Sequence, residues 1–204
     1  MKIICIGRNF SDHAKELNNA QPTEPVVFLK PDTALLRNND PFFIPDFSND
    51  VHHEVELIVK INRLGKNIQP QFASKYFDEI GLGIDFTARD LQDDLKGKGL
   101  PWEKSKAFDS SAVISKNFIN KSAFENVNNI GFHLEVNGHK VQTGNTNQML
   151  FNIEELICYV SKYFTLKIGD LIYTGTPAGV TKVNINDELV GYLGGTKMFD
   201  FKVK

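Results

Sequence analysis

A chain of 204 residues, 41 % hydrophobic and 24 % charged, can close one sizeable core, so a single domain over 1–204 is expected. A formal charge of −2 with no long basic or acidic run speaks against a nucleic-acid partner. No stretch approaches the ~20 apolar residues of a membrane span, the opening Met-Lys-Ile-Ile-Cys-Ile is too short for a signal peptide, and Cys5 and Cys158 lack CxxC or metal-ligand spacing, which points to a cytoplasmic chain with reduced thiols.

Residues 2–7 read as a first strand, ended by Gly7 and the polar Arg8-Asn9. Ser11-Asp12 is a helix-start signal. On one or two helical turns His13 and Glu16 lie at i,i+3 and can touch. A carboxylate that accepts from one imidazole nitrogen raises the basicity of the other. The pair is either a general base or an ordinary polar pair on a surface helix. Residues 18–25 form a loop, 26–29 a strand stopped by Lys30-Pro31, 38–41 a turn, and 42–45 a further short strand.

Residues 51–61 alternate. Val51, His53, Val55, Leu57, Val59 and Ile61 share one parity; His52, Glu54, Glu56, Ile58 and Lys60 share the other. Period two over this length predicts a strand with one apolar face. Glu54 and Glu56 then share a face, roughly 7 Å apart along the strand. Two carboxylates that close repel unless a positive charge sits between them. Oxygen ligands alone would call for a hard ion such as magnesium, manganese or calcium. A half-solvated strand with both acids in water fits the same pattern.

After a turn at 63–67, residues 71–77 are expected to be helical and 80–86 a strand, with Gly81 and Gly83 marking close packing. Thr87-Ala88-Arg89-Asp90 has the form of a capping box opening a helix striped by Leu91 and Leu95 and ended by Gly97 and Gly99. Asp85 thus falls where a strand yields to a helix. Trp102 is the only tryptophan and reads as a packing anchor. Lys104 and Lys106 share parity, so one of them can reach inward, and spacing does not say which. Residues 117–130 form a surface loop, and 132–141 a hairpin turning at Asn137-Gly138 and flanked by exposed His133 and His139. Residues 149–164 carry a helical apolar stripe and 171–173 a strand. The loop 174–180 has two hydroxyls and two glycines that can donate to an anion or form a plain turn. Two or three closing strands follow.

These pieces, in this order, resemble the fumarylacetoacetate hydrolase family. The resemblance rests on Gly7-Arg8-Asn9, His53-Glu54-Val55-Glu56, Asp85-Phe86-Thr87-Ala88-Arg89-Asp90-Leu91-Gln92, Gly99-Leu100-Pro101-Trp102, Lys106-Ala107-Phe108, Gln142-Thr143-Gly144 and Thr174-Gly175-Thr176-Pro177. One departure is Gly179-Val180-Thr181, where many relatives continue with glycine. The resemblance implies an α+β, β-rich fold, the mixed β-sandwich roll of that family's catalytic domain, as a homodimer. It implies Mg²⁺ or Mn²⁺ held by Glu54, Glu56 and Asp85, a positioned lysine at Lys106, and the His13–Glu16 dyad of the small acylpyruvase-like subgroup.

The implied substrate is a small 2-oxo acid such as an acylpyruvate or oxaloacetate. Hydrolysis or decarboxylation would pass through an enolate stabilised by the metal and by Lys106. Thr176 and the amides around Gly175, with Arg8, Arg89 and Gln92, are the candidate substrate contacts. An isomerase of an unsaturated 2-hydroxy dioate or an oxaloacetate tautomerase is the rival within the family. Outside it stand a 2-His-1-carboxylate iron oxygenase, built from His52, His53 and Glu54 with His133 or His139, and a non-catalytic metal-binding domain.

Overall fold

The computed structural model describes residues 1–11 and 21–204, so the expected His13–Glu16 pair lies outside the described residues. β1 (Ile3–Gly7) is apolar at four successive positions and buried on both faces. It belongs to an eight-stranded mixed sheet. The order runs β2 (Val26–Lys30), β1, β12 (Leu171–Tyr173), β5 (Val55–Ile61), β6 (Phe77–Asp85), β8 (Ala112–Ile114), β3 (Leu35–Leu36), with β9 (Ile119–Asn120) also on β6. β1 runs parallel to β12 and antiparallel to β2, and β5 lies antiparallel between β12 and β6.

A second, antiparallel sheet has the order β11 (His139–Asn145), β10 (Gly131–Val136), β13 (Glu188–Leu193), β14 (Thr196–Lys202). Its first hairpin turns at Asn137-Gly138, both at positive φ, as a two-residue turn with the strands' twist requires. Leu57, Val59, Leu82 and Ile84 of the first sheet share a core with Leu134, Leu189 and Phe199 of the second and with the helix Ile153–Tyr163. The opposite face of the first sheet buries Ile3, Cys5, Ile58 and Tyr173. This is the strand-rich α+β architecture expected from the sequence.

Several local expectations change. Residues 51–61 are not one half-solvated strand. β4 (Val51–His52) pairs with β7 (Thr87–Ala88), and β5 begins only at Val55. Both parities of β5 are buried, because it lies mid-sheet with apolar layers on each side. The helix expected over 71–77 shrinks to Pro70–Ala73 and a 3-10 turn, since buried Phe77 already pairs with Ile61 in β6. The helix expected from 149 starts at Ile153, where Asn152 accepts from the Glu155 amide and Glu155 answers on the Asn152 amide. Thr87 caps nothing: its hydroxyl accepts from Lys106, and the helix Arg89–Gly97 starts after Ala88 without a side-chain cap. Gly83 behaves as expected. A Cβ there would lie 2.0 Å from the Val113 carbonyl oxygen, so β8 can approach β6 only across a glycine.

Candidate active site

Glu54, Glu56 and Asp85 converge at the end of β5 and β6. The Asp85 amide donates to the Glu54 carbonyl at 2.8 Å, which extends the β5–β6 ladder past its last named pair. One oxygen from each of the three carboxylates lies within 4.8 Å of the others, and all three residues are buried. It is the one such cluster of acids, histidines or cysteines found among the described residues.

Three cations balance these acids. Lys106, on the short helix Glu103–Lys106, donates to Glu54 Oε2 at 2.7 Å, Asp85 Oδ2 at 2.7 Å and Thr87 Oγ1 at 2.6 Å. An ammonium has three protons, and these contacts use all of them. Burial opposes the Lys106 charge, but Asp85 and then Glu54 outweigh it and hold its pKa above the ordinary lysine value. Lys30, at the end of β2, sits 2.6 Å from Asp85 Oδ1 and donates to the Ser111 carbonyl at 2.9 Å. Arg89 pairs with Glu54 through Nη2 and donates to Gln92 Oε1 through Nη1 at 2.6 Å.

Glu56 differs from its neighbours. It accepts from the Gly175 amide at 2.7 Å and has no ion pair among the described residues. Burial first, then Asp85 and Glu54, push its pKa well above the ordinary carboxylate range. Gly175 is required on two counts. Its φ is +102°, and a Cβ would lie 2.7 Å from Asn9 Cβ. The Gly175 amide, expected among the substrate contacts, donates here to Glu56. Thr176 lines the cleft, and its hydroxyl accepts from Gln142 Nε2 at 2.9 Å.

A narrow cleft opens to solvent above the carboxylates. Arg8, Phe28, Arg89, Gln92, Lys96 and Trp102 form its walls. The helix Arg89–Gly97 turns Arg89, Gln92 and Leu95 inward, while Leu91 of the expected stripe is only half-buried. Trp102 lies edge-on to Phe28 and carries two cations over its ring, Arg8 at 6.0 Å and Lys96 at 5.7 Å. It is therefore a platform in the cleft as well as an anchor.

One residue of the site has no signal in the sequence: Lys30 reads there only as the residue that stops a strand. Gln142 stands out only through the Gln142-Thr143-Gly144 motif of the resemblance, with no role assigned to it, yet it ties three segments together. Its Oε1 accepts from His53 Nδ1 at 2.8 Å and from the Val55 amide at 3.0 Å, and its Nε2 also donates to the Pro177 carbonyl at 2.9 Å. An amide oxygen only accepts, so His53 carries its proton on Nδ1 and accepts at Nε2 from the Thr181 hydroxyl at 2.9 Å. Burial lowers the His53 pKa and favours this neutral form. The iron-oxygenase alternative fails here, because both ring nitrogens of His53 are used, His52 pairs with Asp50, and His133 stacks on Tyr192 away from Glu54. Both cysteines are free thiols, and burial pushes Cys5 up, further still beside Asp85.

The fold and the acidic cluster at its sheet end place the chain in one family: residues 2–198 match the fumarylacetoacetate (FAA) hydrolase C-terminal family, and the chain belongs to it. Among its relatives, the mitochondrial oxaloacetate tautomerase FAHD1 of Bos taurus is 42 % identical over 202 residues, 99 % of this chain and 91 % of that one. The mitochondrial oxaloacetate decarboxylase of Dictyostelium discoideum is 46 % identical over 183 residues, 89 % of this chain and 84 % of the other. The crystal structure of fumarylpyruvate hydrolase from Pseudomonas aeruginosa in complex with Mn²⁺ and pyruvate superimposes with a TM-score of 0.93 at 31 % identity, covering all of this chain and 89 % of that one. This chain is an enzyme of that family. No described helix is long and apolar enough to cross a membrane.

Proposed function

We propose that this enzyme uses a divalent metal to act on small 2-oxo acids through the substrate's enolate, by decarboxylating oxaloacetate or hydrolysing acylpyruvates. The observation that carries this reading is the buried oxygen cluster of Glu54, Glu56 and Asp85. Its donors are all carboxylate oxygens, the type a hard divalent ion takes. Glu56, buried and raised in pKa with no ion pair among the described residues, is a carboxylate that a bound cation would stabilise. Glu54, Glu56 and Asp85 would hold Mg²⁺ or Mn²⁺, which when bound supplies a Lewis acid for a 2-oxo group. The manganese and pyruvate in the Pseudomonas aeruginosa relative support the same assignment.

Lys106 spends its protons on Glu54, Asp85 and Thr87. It therefore orients two of the carboxylates and adds a positive field where negative charge develops, with no bond to spare for the substrate. Arg89 keeps a buried Nε donor without a partner, and with Arg8, Gln92 and Thr176 it is a candidate substrate contact. His13, oriented by Glu16, is assigned proton transfer or water activation on the sequence resemblance. Decarboxylation breaks the C3–C4 bond, releases CO₂ and leaves the electron pair on the enolate; hydrolysis requires an added water. Tautomerisation removes a C3 proton to reach the same kind of enolate. That second reading is favoured by the name of the Bos taurus relative.

A panel of oxaloacetate, acetylpyruvate and fumarylpyruvate, assayed with Mg²⁺, Mn²⁺ or chelator, tests the reading. Turnover of at least one substrate that stops with chelator and is lost in Asp85→Asn supports it. Turnover indifferent to chelator contradicts it. The homodimer, the single catalytic domain over 1–204 and the cytoplasmic location belong to the same proposal, and light scattering in solution tests the first.

A further inference from the structure

Among the described residues, Arg8 and Lys96 are cleft cations that no carboxylate pairs with. The acids of the floor are Glu54, Glu56 and Asp85, and their ion pairs go to Lys30, Lys106 and Arg89. Neither Arg8 nor Lys96 forms an ion pair among the described residues. Both stand over one face-bearing ring, Trp102. Lys96 is half-buried, and its one hydrogen bond among the described residues goes to Gln92 Oε1 at 3.1 Å, an oxygen already shared with Arg89. Crowding is costly here. Burial lowers the Lys96 pKa first and Arg89 next; Asp93 on its own helix pulls the other way, and Arg8 and Lys106 add smaller downward pushes. Arg8 is held in the left-handed region at φ 59°, a strained position for a non-glycine residue that faces into the cleft.

The charge balance gives this arrangement a ligand. With all three acids ionised the floor is neutral, three carboxylates against Lys30, Lys106 and Arg89. A divalent ion there would leave a surplus of two, and Arg8 and Lys96 add two more. A 2-oxo acid with one carboxylate answers only part of that surplus. A 2-oxo acid with a second carboxylate beyond the keto carbon answers more of it, and among the described residues the cleft-wall cations without an ion pair are these two.

We propose that Lys96, backed by Arg8 on the Trp102 face, is a specificity-determining residue that reads the distal carboxylate of a dicarboxylic 2-oxo acid and sets the preference for such dianions over monocarboxylic acylpyruvates. This rests on the 2-oxo acid reading above. Lys96 is not needed for chemistry at the keto carbon. Its contribution lies in binding, as a charge-assisted hydrogen bond at the far end of the substrate.

The test compares Lys96→Met, which keeps the length and removes the charge, with Lys96→Arg, which restores it. kcat and KM are measured for oxaloacetate and acetylpyruvate on the Mg²⁺-loaded full chain, and pyruvate binding is measured by calorimetry as a probe of the keto-acid end alone. A charge-assisted bond of this kind corresponds to a rise of about 10- to 100-fold in KM for oxaloacetate in Lys96→Met. The expected pattern adds little change in the acetylpyruvate KM or in pyruvate affinity, and recovery in Lys96→Arg. Equal loss for both substrates, or no loss for either, overturns the role of Lys96 while leaving the 2-oxo acid reading intact. A wild-type protein that binds neither pyruvate nor either substrate overturns both.

Discussion

On the floor of the cleft Glu54 and Asp85, beside Glu56, meet Lys30, Lys106 and Arg89 in a buried set of ion pairs, whereas at its mouth Arg8 and Lys96 stand over Trp102 with no acid partner among the described residues. The floor is organised before any ligand arrives. Its charges are oriented by bonds to one another and to backbone, so little rearrangement accompanies binding. The mouth is organised by what it lacks, and its unbalanced charge is satisfied by a ligand that brings its own carboxylate. The contrast shows how one cleft separates a rigid reactive end from an end that selects.

The largest effect that would break this contrast is at Glu56. Glu56→Ala should abolish stoichiometric Mg²⁺ or Mn²⁺ binding in calorimetry while circular dichroism reports a folded protein, and retained binding would mean the floor is not a metal site. The same residue predicts a pH dependence. Its pKa is raised on folding, so the metal-free native state holds a proton that the unfolded chain releases. That contribution is present below the ordinary carboxylate pKa and is lost as pH rises through the raised folded value. Metal binding must displace the proton. The rise in Tm on adding Mg²⁺ should therefore grow from pH 5 to pH 8, and a shift that shrinks over that range would refute the assignment.

Next in size is Lys30→Met, which leaves Asp85 with one lysine instead of two in a buried site. Removing one partner of a buried pair costs about 3–5 kcal/mol. Urea unfolding should read a loss of that order, and a change below about 1 kcal/mol would show that Lys106 alone suffices for Asp85.

A smaller effect is expected at His53. Burial lowers its pKa below the ordinary histidine value, so the stability it contributes is complete above about pH 6.5 and declines as pH falls towards the folded value. His53→Gln should flatten that part of the stability curve, and an unchanged slope would assign it to another group. The smallest effect is reserved for the surface. Lys98 pairs with Asp94 at 2.7 Å, both exposed, and Lys98→Ala should cost no more than about 0.5 kcal/mol.

Much of the site was legible from local pattern. The spacing of Glu54 and Glu56 put both on one side of a strand, and Asp85 fell at a strand end, because period two and helix-start signals are short-range properties of the chain. Lys106 was legible only as one of two lysines until the family resemblance chose it. Lys30 was invisible, because a lysine before a proline carries no mark of its later burial. Leu91 misled for a related reason. The helix Arg89–Gly97 turns Arg89 and Gln92 to the cleft, so its buried face is partly polar and hydrophobic periodicity points elsewhere.

What the sequence determined by itself was therefore most of the longer strands, the turn at Asn137-Gly138 and the acids at β5 and β6, all consequences of side-chain alternation and backbone preference within a few residues. Tertiary structure alone decided that β5 is buried on both faces, that the Gly175 amide belongs to Glu56, and that Lys30 meets Asp85 across 55 positions of chain. Those outcomes depend on which strands become neighbours. That is settled by burying both faces of one sheet at once, and no local window of the chain contains it.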